Sequence, residues 1–274
     1  RDDVESRGLG DVYKRQVYDD ENSQKFQALG KRTLEEATKM ASAVDVRMLT
    51  QSRLATNITN GIIHAFKEYD ASEIIMGLHE KKTDGDKFWG IFTPDLVNQL
   101  NRQIILCRCN RPLNTLRRIV VAVPSRVEFE QGFYRWIERL ARLAENLSCR
   151  IIFHGRIEST SLINEYIRNQ HPGVRAEYVL MEHWKEFTQL AQQMSSDHML
   201  VVISARQGTV SYKPVFERLP MELYRHYHEH NLMVVFPDQN GQSPEDMTFT
   251  APQHHSVDSA YSSIVNWVMK KIDK

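Results

Sequence analysis

Cysteine is nearly missing from this 274-residue chain, with only Cys107, Cys109 and Cys149 present, all in or beside apolar strand-like runs. Two of them lie two positions apart, which is not the ligand spacing of a structural zinc site. They read as buried free thiols of a reducing cytosol, and no metal is expected. Charge of one sign is missing too. The 35 basic and 35 acidic residues cancel, so the basic patch that nucleic-acid binding favours has no support, and no nucleic-acid partner is expected. No apolar run approaches the roughly 20 residues that a bilayer-spanning helix requires. Catalytic signatures are lacking as well. There is no Gly-x-Ser-x-Gly elbow, and the strand ending Ala122-Val123-Pro124-Ser125 does not lead into a serine- and glycine-rich pyrophosphate loop. A non-enzymatic protein is expected.

The N-terminus needs separate treatment. Residues 1–16 back-translate in one frame to a transposase sequencing adaptor, so they are set aside before fold reasoning as a processing scar. That segment carries four basic and four acidic residues, and its removal leaves the charge balanced. The natural sequence is expected to run from Val17, in the middle of an open reading frame.

What is present is an alternation of strand-like and helix-like segments. Val17-Tyr18 reads as the tail of a strand. Residues 23–44 place Phe26, Leu29, Leu34, Ala37, Met40 and Ala41 at helical spacing. Residues 46–49 read as a short strand. Asn57 is placed to cap a helix with Ile58, Ile62, Ala65 and Phe66 on one face. A strand over 72–76, a helix over 95–102 announced by Thr93-Pro94 and a strand over 104–109 close the first unit. After a linker containing Pro112 the pattern restarts. Strands are expected at 118–123, 149–153, 177–181, 199–203 and 232–236. Helices are expected at 133–147, 162–168, 184–194 and 220–228. Phe133, Trp136, Ile137, Leu140, Leu143, Ala144 and Leu147 form one apolar helix face, a core stripe rather than a stacking platform. Such alternation implies right-handed crossovers and a parallel sheet covered on both faces. The expected architecture is α/β, two Rossmann-like modules in tandem at residues 17–112 and 113–238. The first is incomplete, lacking its opening strand, first helix and most of its second strand, with an exposed or frayed sheet edge. Residues 239–274 form a polar linker and an amphipathic helix carrying Tyr261, Ile264, Val265, Val268, Met269 and Ile272. That helix has three possible docking partners: its own module, another subunit or a further domain.

Two loops invite a ligand. In the first, an apolar strand ends at Gly77, a polar loop follows, and Gly90 precedes a helix, which is how α/β proteins build a phosphate cradle. In the second, Ser204, Arg206, Gly208, Thr209 and Ser211 follow the strand at 199–203, at the edge where open α/β sheets bind ligands; either an anion pocket or a solvated connection fits. His226 and His230 share a helix face at a spacing zinc can use. One face supplies too few ligands, and an exposed helix C-terminus favoured by the dipole is the better reading.

Gly77, with Gly90 thirteen positions later, resembles the nucleotide loop of universal stress proteins. That family's pattern is glycine, two residues, glycine, nine residues, glycine, then serine or threonine. Glu80 replaces the middle glycine and Ile91 the final hydroxyl, and the aspartate that nucleotide binders carry after their first strand has no equivalent at 122–125. A carboxylate where phosphate should approach opposes binding, although Lys81, Lys82 and Lys87 lie nearby. No cofactor is therefore expected, with ATP the one that surviving glycines would take. The wider wording of residues 60–124 and 204–212 resembles the C-terminal cytoplasmic region of bacterial sodium (cation):proton antiporters, which carry tandem universal-stress modules after a membrane transport domain. That resemblance implies a regulatory, non-catalytic region at the cytoplasmic face of the inner membrane. Its implied partners are a transport domain upstream of Val17, a second copy in a homodimer and a small-molecule or nucleotide effector. The alternative is a free-standing tandem universal stress protein that binds ATP or a related nucleotide.

Overall fold

Apolar runs and amphipathic stretches alternate along the chain, and most of those described take the form their periodicity predicts. The computed structural model describes residues 12–18, 23–43, 45–54, 57–78, 88–89 and 93–239. They belong to two compact units, one ending at Ala71 and the other starting at Ser72.

In the first unit β1 (Val12–Tyr18) and β2 (Met48–Leu54) pair in parallel, Val12 opposite Met48 and Tyr18 opposite Leu54. They are joined by α1 (Ser23–Ser42), which buries Leu34, Ala37 and Ala41. The helix α2 (Ile58–Glu68) starts as its sequence predicts, with the Asn57 side chain accepting the Asn60 N–H at 3.2 Å. Strand β1 starts inside the segment assigned to the adaptor. That placement is a separate matter from the origin of its codons. The expected strand at 46–49 begins at Met48 and runs on to Leu54.

The second unit contains β3 (Glu73–Gly77), α3 (Thr93–Gln99), β4 (Gln103–Arg108), β5 (Arg118–Ala122), α4 (Phe133–Asn146), β6 (Arg150–Gly155), α5 (Ile157–Gln170), β7 (Ala176–Leu180), α6 (Phe187–Gln193), β8 (His198–Ile203), α7 (Leu219–Tyr227) and β9 (Asn231–Phe236). Seven strands form one sheet in the order β3-β4-β9-β8-β5-β6-β7. Every neighbouring pair is parallel except β4 with β9, where Ile104 faces Phe236 and Arg108 faces Leu232. The expected α/β class and mostly parallel, helix-flanked sheet are observed. The β4–β9 pair is new: strands from either side of residue 112 share one sheet, joined back to back. β5 lies between β8 and β6. β3 is an edge strand of this sheet, with Ile75 66% exposed.

The apolar stripe of α4 packs as expected, with Phe133, Trp136, Ile137 and Leu140 buried against Ile119, Val121 and Phe153. Burying side chains of this size contributes about 1.5–3 kcal/mol each. Some expectations change. The helix expected at 95–102 stops at Gln99. The carbonyls of Asn101 and Arg102 leave the helical ladder to accept the Gln239 N–H and the Arg206 guanidinium. α5 starts well before residue 162, its polar first turn held by Ser159 donating to Glu128 and Thr160 donating to the Arg156 carbonyl. The stretch at 184–194 begins with a 3-10 turn, Trp184–Glu186, before α6. Of the three thiols only Cys149 is fully buried. Cys107 is half-buried and Cys109 is exposed, because β4 ends at Arg108. Burial, with Cys109 beside it, pushes the Cys107 thiol up to about 12, so it is unreactive at neutral pH. The amphipathic helix expected at 261–272 lies outside the described residues.

Candidate functional site

Parallel strands deliver the loops that follow them to one edge of a sheet, and ligands of such sheets sit there. Because β4 and β9 run antiparallel, the edge at which β3 ends and the edge at which β8 ends are at opposite ends of this sheet. Gly77 and the loop after β8 therefore leave the sheet at opposite ends.

Gly77 is the last residue of β3, and a Cβ added there would meet nothing within 4 Å. No packing requires glycine at this position. The next residue, Leu78, donates its N–H to the Cys107 carbonyl at 2.7 Å. Glu80, Lys81, Lys82, Lys87, Gly90 and Ile91 lie outside the described residues, so the remainder of that loop is not placed.

The second loop is described throughout, and Arg206, Thr209 and Ser211 bond within the protein. The Ser204 N–H donates to the Val235 carbonyl at 2.8 Å. Arg206 is turned inward and is 2% exposed. Its Nε donates to the Val97 carbonyl at 3.2 Å and its Nη2 to the Arg102 carbonyl at 2.6 Å. Its Nη1 donates to the Pro237 carbonyl. Burial lowers the guanidinium pKa to about 10, with Glu130 opposing the shift, so Arg206 stays charged at neutral pH. Thr209 turns its hydroxyl back onto the Arg206 carbonyl at 2.9 Å. Gly208 has φ 90°, a conformation that favours glycine. It makes the turn that carries the chain from Arg206 to Ser211.

Beside this loop Glu130 is 5% exposed and fully satisfied. It accepts the Ser211 N–H at 3.0 Å, the Ser211 hydroxyl at 2.6 Å and the Gln239 amide at 2.9 Å. Arg135 pairs with Asp238. Gly132 permits this approach, since a Cβ there would lie 2.5 Å from the Asp238 backbone N and O. Arg206, expected as a ligand-binding group, thus ties the end of β8 to α3, to the residue before β4 and to the chain beyond β9, while Ser204 bonds to β9 through its backbone and Thr209 bonds within the loop itself. Residues 97, 102, 130, 206, 211 and 239 are widely spaced in sequence, so no local motif announces the arrangement.

Sequence reasoning missed three cations at the same edge. Arg126 is in the turn after β5, Arg156 immediately follows β6, and Lys213 leads into the 3-10 turn Pro214–Arg218 after β8. Arg126 and Arg156 are exposed and Lys213 is half-buried. Burial, then the charges of Arg156 and Arg126, pull the Lys213 pKa down. Arg126 has φ 67°, a left-handed conformation unusual for a side chain of its size. The one signal in the sequence was the position of each basic residue in the loop after a strand.

The histidines of α7 are dispersed. His226 lies 3.4 Å from Glu222, and His228 and His230 fall in the turn beyond Tyr227. Among the described residues no group of three metal-ligating side chains comes together. Also among them, no helix is long and apolar enough to cross a membrane.

No protein-family model and no curated protein matches the sequence. Solved structures share its fold. A universal stress protein from Archaeoglobus fulgidus DSM 4304 aligns over 85% of this chain and 89% of its own, with 13% identity and a TM-score of 0.55. The cytoplasmic domain of a prokaryotic cation chloride cotransporter aligns over 85% of this chain and 87% of its own, with 10% identity and a TM-score of 0.52. The mostly parallel, helix-flanked sheet is accordingly a universal-stress-like, Rossmann-like fold.

Proposed function

We propose that this chain is a non-catalytic cytoplasmic regulatory region of a cation (sodium):proton antiporter, with the transport domain upstream of Val17. The observation that carries this reading is the β8 loop. The edge that would cradle a nucleotide is instead wired into the fold through Arg206 and Glu130. A sheet built this way is suited to transmitting a binding event to a partner. A transporter's cytoplasmic domain sharing the fold supports the same reading, as does the sequence resemblance of residues 60–124 and 204–212. Regulation would arise from differential contacts with two states of the transport domain, and a second copy of the chain is a further expected partner. The coding sequence upstream of Val17 tests this. Several apolar spans of about 20 residues are expected there, and a start codon shortly before Val17 with no such spans would overturn the reading.

A second reading is a free-standing tandem universal stress protein that binds ATP. Gly208, in the conformation that a tight loop after β8 needs, is the observation that favours it. Calorimetry with ATP and magnesium separates the two, since a nucleotide-dependent heat supports the second reading and its absence the first.

A further inference from the structure

We propose that His198 and His230 form a proton-operated latch, which holds the turn between α6 and β8 when neutral and frees it when protonated. Sheet register brings the two residues together. β8 and β9 run in parallel with Met199 opposite Asn231, so His198 and His230, one residue earlier in each, enter the sheet side by side. On its other flank His198 lies directly opposite Arg118 of β5.

Both rings grip the same turn, and both do so in the neutral form. The Nδ1 of His198 accepts the Ser195 N–H at 3.2 Å. Its ring proton is therefore on Nε2, which faces the Ser195 hydroxyl at 3.4 Å and the Asp197 carboxylate at 3.7 Å. The ring of His230 bonds to the backbone of Met194, the residue before Ser195. Its Nδ1 is buried with no hydrogen-bond partner among the described residues. A second proton on His198 would point at the Ser195 N–H, donor against donor. A second proton on His230 would be a buried charged donor with no acceptor, which costs more than a neutral one.

Charged neighbours do not offset this. Arg118 and His230 oppose a charge on His198 while Asp197, shared with Arg117 at 3.5 Å, favours it. His228 and Arg111 oppose a charge on His230 while Glu229 favours it. Burial is the largest cause at both positions and pulls both imidazoles below their ordinary value. The closed turn therefore binds fewer protons than the released one. It is held above about pH 6.5 and released progressively as pH falls below that.

The surroundings decide what moves. Asn110 fastens the His230 corner by donating to the carbonyls of His228 and His230, and Asn231 bonds both the N–H and the carbonyl of Arg111. The start of β8 is fastened by the Arg117 N–H on the Asp197 carbonyl at 3.0 Å. Ser195 and Ser196 are exposed, so release falls on them and on the end of α6. The latch does not rest on the antiporter reading and is tested on the chain alone.

The test is hydrogen exchange of the full chain from about pH 7.5 to about pH 5, corrected for the intrinsic pH dependence of exchange and read by mass spectrometry. Below about pH 6.5 opening should rise about tenfold per pH unit for each proton taken up. The rise should appear in peptides covering residues 190–198 and not in those covering β5. His198→Gln keeps an acceptor for Ser195, and His230→Gln keeps a donor for Met194. Each should remove one proton from the dependence, and the double variant should remove both. His226→Gln, exposed on α7, should leave it unchanged. Should a variant fail to fold, the wild-type imidazole signals in NMR decide: both rings must titrate below about 6.5, over the range where the turn opens. Titration at or above that value overturns the proposal. So does unchanged protection of the turn, a loss of protection spread evenly over the sheet, or a pH dependence that survives in the double variant.

Discussion

Replacing Arg206 with methionine keeps most of the volume of the side chain and removes its charge. Three carbonyls, of Val97, Arg102 and Pro237, then lose a charged donor inside a site almost closed to water. Hydrogen bonds of this kind contribute about 1.5–3 kcal/mol each, a gross loss of roughly 5–9 kcal/mol. Part is returned because the guanidinium no longer has to be stripped of water, and removing one partner of a buried ionic network leaves a net cost of about 3–5 kcal/mol. Against a total stability of about 5–15 kcal/mol, that is a large fraction. For a unit of this size it lowers Tm by roughly 6–20 °C. Urea unfolding followed by circular dichroism and by the fluorescence of buried Trp136 measures it. Arg206→Lys should recover only part of the loss, since one ammonium cannot reach three diverging carbonyls. A loss under about 1 kcal/mol for Arg206→Met would refute the structural role and return Arg206 to the ligand-binding role first expected of it.

Other outcomes follow from separate parts of the molecule. Burial pushes the Glu138 carboxyl up, but hydrogen bonds from His171, Tyr166 and Arg142 outweigh it and hold the group at about 2. A folded pKa below the unfolded one contributes stability above the ordinary carboxylate range, lost as pH falls toward about 2. With a quarter of the side chain exposed, screening reduces the contribution to about 1–2 kcal/mol. Glu138→Gln should flatten the acid limb of Tm against pH, and an unchanged limb refutes this. Gly132→Ala drives a methyl into the Asp238 backbone and should cost about 1–3 kcal/mol, read as a shift of the urea midpoint. Ile75→Lys on the open edge of β3 should lower concentration-dependent association in sedimentation experiments, leaving the unfolding midpoint in place.

Where neighbours in sequence decide the structure, the structure was legible. Val120 and Val121 sit in an uninterrupted apolar run and form a strand buried on both faces, and the face of α4 was read residue by residue from its spacing. Asn57 caps the helix it was expected to cap. What escaped depends on partners far apart in the chain. Nothing in Ile104 or Phe236 announces that they will face one another across an antiparallel pair. The direction of Arg206 is set by carbonyls more than a hundred residues upstream and by Pro237. At the candidate site the loop after β8 was found, but the cations Arg126, Arg156 and Lys213 belong to three different loops and form a group only once the sheet is ordered.

The antiparallel contact of β4 and β9 has a consequence for genetics. Since β3 and β8 end at opposite ends of the sheet, substitutions at Gly77 and Gly208 should combine additively, within about 0.3–0.5 kcal/mol. A suppressor of a defect at Gly77 would then not arise at Gly208. It would have to fall on the strand pair itself, where Leu106 meets Val234, so an unbiased screen for compensating mutations would trace that seam.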